Sequence, residues 1–104
     1  MAINTEIHEC RYYISYSGVK LPLKLVTPLT EAELQNRNTF FRAYFDNEER
    51  LLLCQKMVYG EIELEHRYHY HDNGKLKTAE ITDADGELSL LHFDETGVLL
   101  ENSD

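Results

Sequence analysis

Three kinds of side chain in this 104-residue sequence are spaced for chemistry: paired histidines, alternating carboxylates and two cysteines. His69 and His71 stand two residues apart, the spacing that puts both imidazoles on one face of a β-strand. There they can fill two positions of a zinc or nickel site, with a carboxylate from a neighbouring strand as third ligand. The competing reading sets both on a solvated outer face, between Arg67 and a turn at Asp72. His66 has the opposite parity, between Leu64 and Tyr68, and reads as a core histidine with satisfied nitrogens. Asp83-Ala84-Asp85-Gly86-Glu87 puts oxygen ligands at alternate positions ahead of a glycine, as the opening of a calcium loop does. The distal bidentate Glu of such a loop would fall at position 94, which is Asp94, so a hairpin loop with Asx-turn chemistry is the simpler expectation. Cys54 follows Leu51-Leu52-Leu53 and reads as a buried, inert thiol, whereas Cys10 follows His8 and Glu9 and reads as exposed. No nucleophile elbow, phosphate loop or zinc signature occurs, so the expectation is a protein that is not an enzyme and carries no cofactor.

The aromatics suggest binding rather than reaction. Of seven Tyr and four Phe, several fall in the expected strands on both parities. The simpler expectation is that they fill a core short of isoleucine, valine and tryptophan; the alternative is that tyrosines on an uncovered face form an exposed ledge. Tyr68 and Tyr70, with Glu63 and Glu65 on the same strand and Asp83 and Asp85 at a nearby turn, are the residues expected to meet a basic peptide or protein by stacking and cation–π contact. Charge points the same way. The formal net charge is −9. Residues 1–60 balance, while residues 61–104 hold twelve acids and three bases. Such a surface repels phosphate backbones and anionic headgroups, so neither nucleic acid nor membrane is an expected partner. The stretch from Met1 to Cys10 has no apolar segment of the secretory kind, and two cysteines suit reduced thiols, so a cytoplasmic location is expected.

These side chains need a scaffold, and the scaffold speaks with a period of two. Ile62, Leu64, His66, Tyr68 and Tyr70 alternate with Glu63, Glu65, Arg67, His69 and His71, the pattern of a strand with one buried face. Further strands are predicted at Tyr12–Ser17, Val19–Val26, Thr39–Phe45, Leu51–Tyr59, Leu76–Thr82, Leu88–Phe93 and Val98–Glu101, separated by Gly- and Asx-bearing turns. Thr30 and Glu33 form a Thr-x-x-Glu capping box that starts one short helix near residues 31–37. Short loops make consecutive strands antiparallel neighbours. The expectation is a single mainly β domain, residues 1–104: an antiparallel meander of about seven or eight strands, curled as a half-barrel or open sandwich. With one face covered by the short helix, the other would carry the tyrosine ledge.

A unit also recurs. Phe45-Asp46-Asn47-Glu48-Glu49-Arg50-Leu51, Tyr70-His71-Asp72-Asn73-Gly74-Lys75-Leu76 and Phe93-Asp94-Glu95-Thr96-Gly97-Val98-Leu99 align without gaps. Each has an aromatic, a polar turn and a leucine six positions on, so the six apolar residues are expected to pack across their turns into one layer. The unit resembles the tyrosine–aspartate (YD, or Rhs) repeat, aromatic-Asp-x-x-Gly-x-Leu. Only the third copy matches it fully; His71 replaces the Asp in the second and Glu49 the Gly in the first. The whole chain resembles short bacterial families of unknown function built from such hairpins. Neither resemblance implies a catalytic residue.

Three functions follow as expectations. One is a non-catalytic interaction module, of inhibitor or immunity type, whose acidic C-terminal hairpins meet a basic protein. The second is a metal- or small-ligand-binding β domain that uses the His69/His71 face. The third is a structural homo-oligomer, with a homodimer joined through a sheet edge or face.

Overall fold

The computed structural model describes residues 9–18 and 20–100. Val19 and Glu101, the outer bounds of two expected strands, lie outside them. The elements in chain order are β1 (Glu9–Ser17), β2 (Lys24–Leu29), α1 (Glu31–Leu34), β3 (Thr39–Phe45), β4 (Leu51–Val58), β5 (Glu61–Tyr70), β6 (Leu76–Thr82) and β7 (Leu88–His92). The protein is mainly β. All seven strands join one open antiparallel sheet in the order β2-β1-β3-β4-β5-β6-β7, which does not close into a barrel.

From β3 to β7 the sheet is the expected meander, because each turn is too short to reach any but the adjacent position. The beginning departs from it. β1 lies between β2 and β3, with Tyr13 opposite both Pro28 and Phe41. The connection from β2 to β3 carries α1 and is long enough to step over β1. That helix is a single turn, shorter than the 31–37 expected, and none of its residues is buried, so it does not cover the sheet. Its start is as read. The Glu33 N–H donates to Thr30 Oγ1 at 3.2 Å and the Thr30 N–H to Glu33 Oε1 at 2.8 Å. The expected eighth strand at 98–101 is reduced to one bridge, Phe93 opposite Leu99.

The recurrent unit has a definite geometry. In the turns at Asp46, Asp83 and Asp94 the first residue donates its N–H to the carbonyl of the fifth, and the fourth donates back to the first, at 2.9–3.1 Å. The Asp Oδ1 of each accepts from the third and fifth backbone N–H groups at 2.8–3.0 Å. The fourth residue adopts a left-handed backbone, φ +67° at Glu49 and +85° at Gly86, which is why glycine suits it. His71 supplies no carboxylate to its turn, and there Asn73 Oδ1 takes the Lys75 N–H at 2.9 Å instead. The Asp83 loop is therefore a fourth copy, at the opposite end of the sheet, with Thr82 opposite Leu88.

Phe45 pairs with Leu51 and Tyr70 with Leu76 across their turns. These four residues and Phe93 join the core around Phe41, Ala43, Cys54, Tyr68 and Ala79. Leu99 does not: it is 54% exposed. Ile62, expected on the apolar side, is likewise exposed, beyond a register shift in the β4–β5 ladder at Lys56/Met57. What covers the core face is the β1–β2 hairpin. Leu21 and Leu23 in its loop and Leu25 on β2 pack on the cluster. Tyr16 meets Phe41 edge to face at 5.5 Å. Tyr13 and Tyr16 reach the same face although three residues apart, and Thr27, between their partners on β2, has φ +62°. A β-branched residue in that region is strained, and alternation breaks beside it.

The left-handed position makes a clean test. A Cβ at Gly86 would meet nothing within 4 Å, so Gly86→Ala changes only backbone strain. We expect it to lower stability by about 1–2 kcal/mol, read in urea as a lower midpoint at constant slope.

Candidate functional site

Tyr68 is 2% exposed and does not contribute to a ledge. It faces the core because β5 presents Leu64, His66 and Tyr68 to the side that the β1–β2 hairpin covers. Its hydroxyl accepts the Leu23 N–H at 3.2 Å and lies 2.7 Å from His66 Nδ1. Both contacts are satisfied when Tyr68 donates to a neutral His66 that carries its proton on Nε2. Burial favours that form, lowering the His66 pKa and raising that of Tyr68. His66 is thus the satisfied core histidine expected. Cys54, opposite His66 on β4, is buried, and desolvation pushes its thiol up to about 12. A thiol so placed is not a nucleophile near neutral pH. Cys10 is exposed.

Tyr70 is half-buried and donates its hydroxyl to the Leu51 carbonyl. It stands in the wall of an open cleft of about 720 Å³ between the β1–β2 loop and the turn-bearing end of the sheet. The loop side presents Leu21, Pro22 and Leu23; the sheet side presents Phe45, Tyr70 and Phe93. Lys20, Arg50 and Lys75 also line it, against one acid, Glu49. Arg50 is engaged, with Nε 2.8 Å from Asp46 Oδ2 and its guanidinium over the Tyr70 ring at 5.4 Å. Burial alone would raise the Asp46 carboxyl, but the Arg50 and Glu48 N–H groups and the Arg50 guanidinium hold it below its ordinary value. Glu49 accepts from Arg11 at 2.9 Å. Lys20 and Lys75 have no ion-pair partner among the described residues.

The other expected site residues scatter. Glu65 belongs to a ladder across three strands: Arg42 donates to Gln55 Oε1 at 2.7 and 2.9 Å, Gln55 to Glu65 Oε1 at 2.9 Å, and Arg67 to Glu65 Oε2 at 2.9 Å. Glu63 pairs with Lys56 at 3.0 Å. Asp83 turns its carboxylate inward onto its own loop, and Asp85 is exposed. His69 meets Glu80 at 3.0 Å, while His71, past the register shift at His69/Tyr70, meets the Phe93 carbonyl at 2.9 Å. Among the described residues, no three His, Cys, Asp or Glu side chains gather where a metal ion could be held. Tyr68 and Tyr70 face the core, whereas Glu65 stands in the polar ladder on the reverse of the sheet.

Two features escaped the sequence pattern. The lysines of the cleft lie 55 positions apart and meet only because the β1–β2 hairpin folds over the sheet. The second is the β7 edge. Leu88 and Leu90 are 57% and 42% exposed on one side of that strand, and Val98, Leu99 and Leu100 are exposed beside it. Leu100 donates its N–H to the His92 carbonyl at 2.7 Å, continuing the stripe. Asp83, Asp85 and Glu87 rim one end, Asp94 and Glu95 the other. The alternation of Leu88 and Leu90 with Ser89 was legible as a strand, but not as an edge.

Fold and site together define a single-sheet β protein covered by its own N-terminal hairpin, with an exposed apolar edge strand and no helix among the described residues long and apolar enough to cross a membrane. The chain belongs to a family of unknown function, DUF6156, whose model matches residues 5–102. No curated protein and no solved structure matches it.

The Tyr68 network yields two expectations. Tyr68→Phe leaves the Leu23 N–H and His66 Nδ1 without a partner and should cost about 1–3 kcal/mol in chemical denaturation. His66 has a folded pKa below its ordinary 6.5, so the native state binds that proton more weakly than the unfolded chain. Its contribution is complete above pH ~6.5 and is lost as pH falls through the lower folded value. Stability measured from pH 7 to 5 should therefore decline, and His66→Gln should flatten the decline.

Proposed function

We propose that the protein is a non-catalytic interaction module whose β7 edge receives an extended, basic segment of a partner protein. One observation carries the reading: the exposed stripe of Leu88, Leu90 and Leu100 coincides with the acidic part of the chain. Among the described residues, nothing pairs with the outer side of Leu88–Leu91. An edge with unpaired backbone groups templates a further strand, and alternate side chains give that addition its specificity. The opposite edge is guarded. β2 carries Pro28, which offers no N–H, and the strained Thr27 beside it.

An inhibitor or immunity role toward a basic enzyme fits this chemistry, because an acidic rim speeds encounter with a cationic surface. The aspartate-capped turns support kinship with the tyrosine–aspartate hairpins and a bacterial origin. The unpaired thiols Cys10 and Cys54 suit a cytoplasmic setting. A second copy of the chain is the competing occupant of the edge, and the test separates them.

The probe is a ten-residue peptide alternating lysine and valine, titrated into the labelled protein and followed by amide NMR. Perturbations should centre on residues 88–100, and affinity should fall at least tenfold between 50 and 500 mM salt, about the loss expected when exposed charges are screened. Leu88→Lys/Leu90→Lys should abolish them. Perturbations elsewhere, binding indifferent to salt, or sedimentation as a dimer joined through β7 would overturn the reading.

A further inference from the structure

The cleft under the β1–β2 hairpin is on the face of the molecule that the proposed edge interaction does not use. Leu21 and Leu23 from the loop and Phe45, Tyr70 and Phe93 from the sheet give it an apolar part beside its charged residues. Its volume, about 720 Å³, lies within the range of small-molecule sites. Its charge runs against that of the chain. A protein with net charge −9 places Lys20, Arg50 and Lys75 around this opening and one acid, Glu49, which Arg11 already engages. Arg50 is held by Asp46. Lys20 and Lys75 are exposed and unpaired among the described residues, and so are available to a ligand. An apolar part lined also by two lysines without an ion-pair partner among the described residues matches a molecule that is apolar along its length and anionic at one end.

We propose that this cleft binds a single-chain anionic amphiphile, an alkanoate whose tail lies under the β1–β2 loop and whose carboxylate meets Lys20 and Lys75. Apolar burial supplies affinity without a directional requirement, and the ammonium groups fix which end faces out. The occupant is the free monomer. A membrane surface presents a sheet of anionic headgroups that the acidic C-terminal hairpins would oppose.

The test is calorimetric titration of the full chain with hexanoate, octanoate and decanoate below their micelle-forming concentrations. Affinity should rise about fourfold per added methylene, the gain for burying one CH₂ group. Decyltrimethylammonium, equally long and of opposite charge, should bind at least tenfold more weakly than decanoate. Lys20→Glu and Lys75→Glu should each weaken decanoate about tenfold, and Lys24→Glu, the same charge change outside the cleft, less than twofold. Leu88→Lys/Leu90→Lys should leave decanoate binding intact, which separates this site from the β7 edge. The chain-length series on the unaltered protein decides the matter even where a variant folds poorly. No decanoate binding up to millimolar concentration, equal binding of the cationic amphiphile, equal losses in Lys24→Glu, or co-sedimentation with phosphatidylglycerol vesicles without monomer binding would each overturn the proposal.

Discussion

The hydroxyl of Tyr68 ties the β1–β2 loop to the sheet. A single open sheet has two faces, and no helix among the described residues covers either, because α1 is one turn long and none of its residues is buried. The core face is closed by the chain's own β1–β2 hairpin. Leu21, Leu23 and Leu25 supply the apolar contact, which is non-directional and would tolerate sliding. The Leu23 N–H bond to Tyr68 is directional and fixes where the hairpin sits. His66 completes the arrangement by accepting a hydrogen bond from the Tyr68 hydroxyl at Nδ1, so that a buried hydroxyl and a buried imidazole satisfy each other.

Much of the sheet could be read from the residues because its turns are local devices. An aspartate that caps two N–H groups and a fourth residue with positive φ determine how the chain reverses, and that reversal sets the aromatic opposite the leucine six positions on. Phe45 with Leu51 is a product of this local chemistry, and Tyr70 with Leu76 of the same reversal with Asn73 accepting the Lys75 N–H in place of an aspartate. The same logic extends to Asp83–Leu88, where Thr82 stands in the aromatic's place. The Asx-turn hairpin expected there ahead of a calcium loop is what forms, with Asp83 Oδ1 accepting from its own loop's backbone. The Glu33 capping box was legible for a similar reason: both of its partners lie within four residues.

What could not be read depends on contacts between distant segments. Period-two alternation tells which residues share a face but not which face is covered. It therefore placed Tyr68 correctly beside Leu64 and His66 while leaving open that the β1–β2 hairpin covers it. Alternation also fails where a strand bends. Tyr13 and Tyr16 both reach the core face, opposite the positive φ of Thr27, and no propensity rule predicts a β-branched residue there. The position of β1 between β2 and β3 is of the same kind. A connection of nine residues, 30–38, can return on either side of a neighbour, and only the packing of the finished sheet chooses.

The distribution of charge then acquires a structural meaning that its total does not have. The bases Lys20, Arg50 and Lys75 come from three different connections, β1–β2, β3–β4 and β5–β6, and the sheet gathers them at one end. The acids of the last two hairpins fall instead along the β7 side, where Leu88 and Leu90 remain in water. The turn from Asp94 to Gly97 borders both regions, since Thr96 and Gly97 line the cleft while Val98 to Leu100 continue the edge stripe. Its leucine, like Leu88 of the Asp83 copy, is exposed. The hairpin keeps its turn geometry because aspartate and glycine enforce it locally, whatever becomes of its apolar residue. The exposed Leu99 joins Leu88 and Leu90 in leaving apolar surface where the chain's negative charge is concentrated.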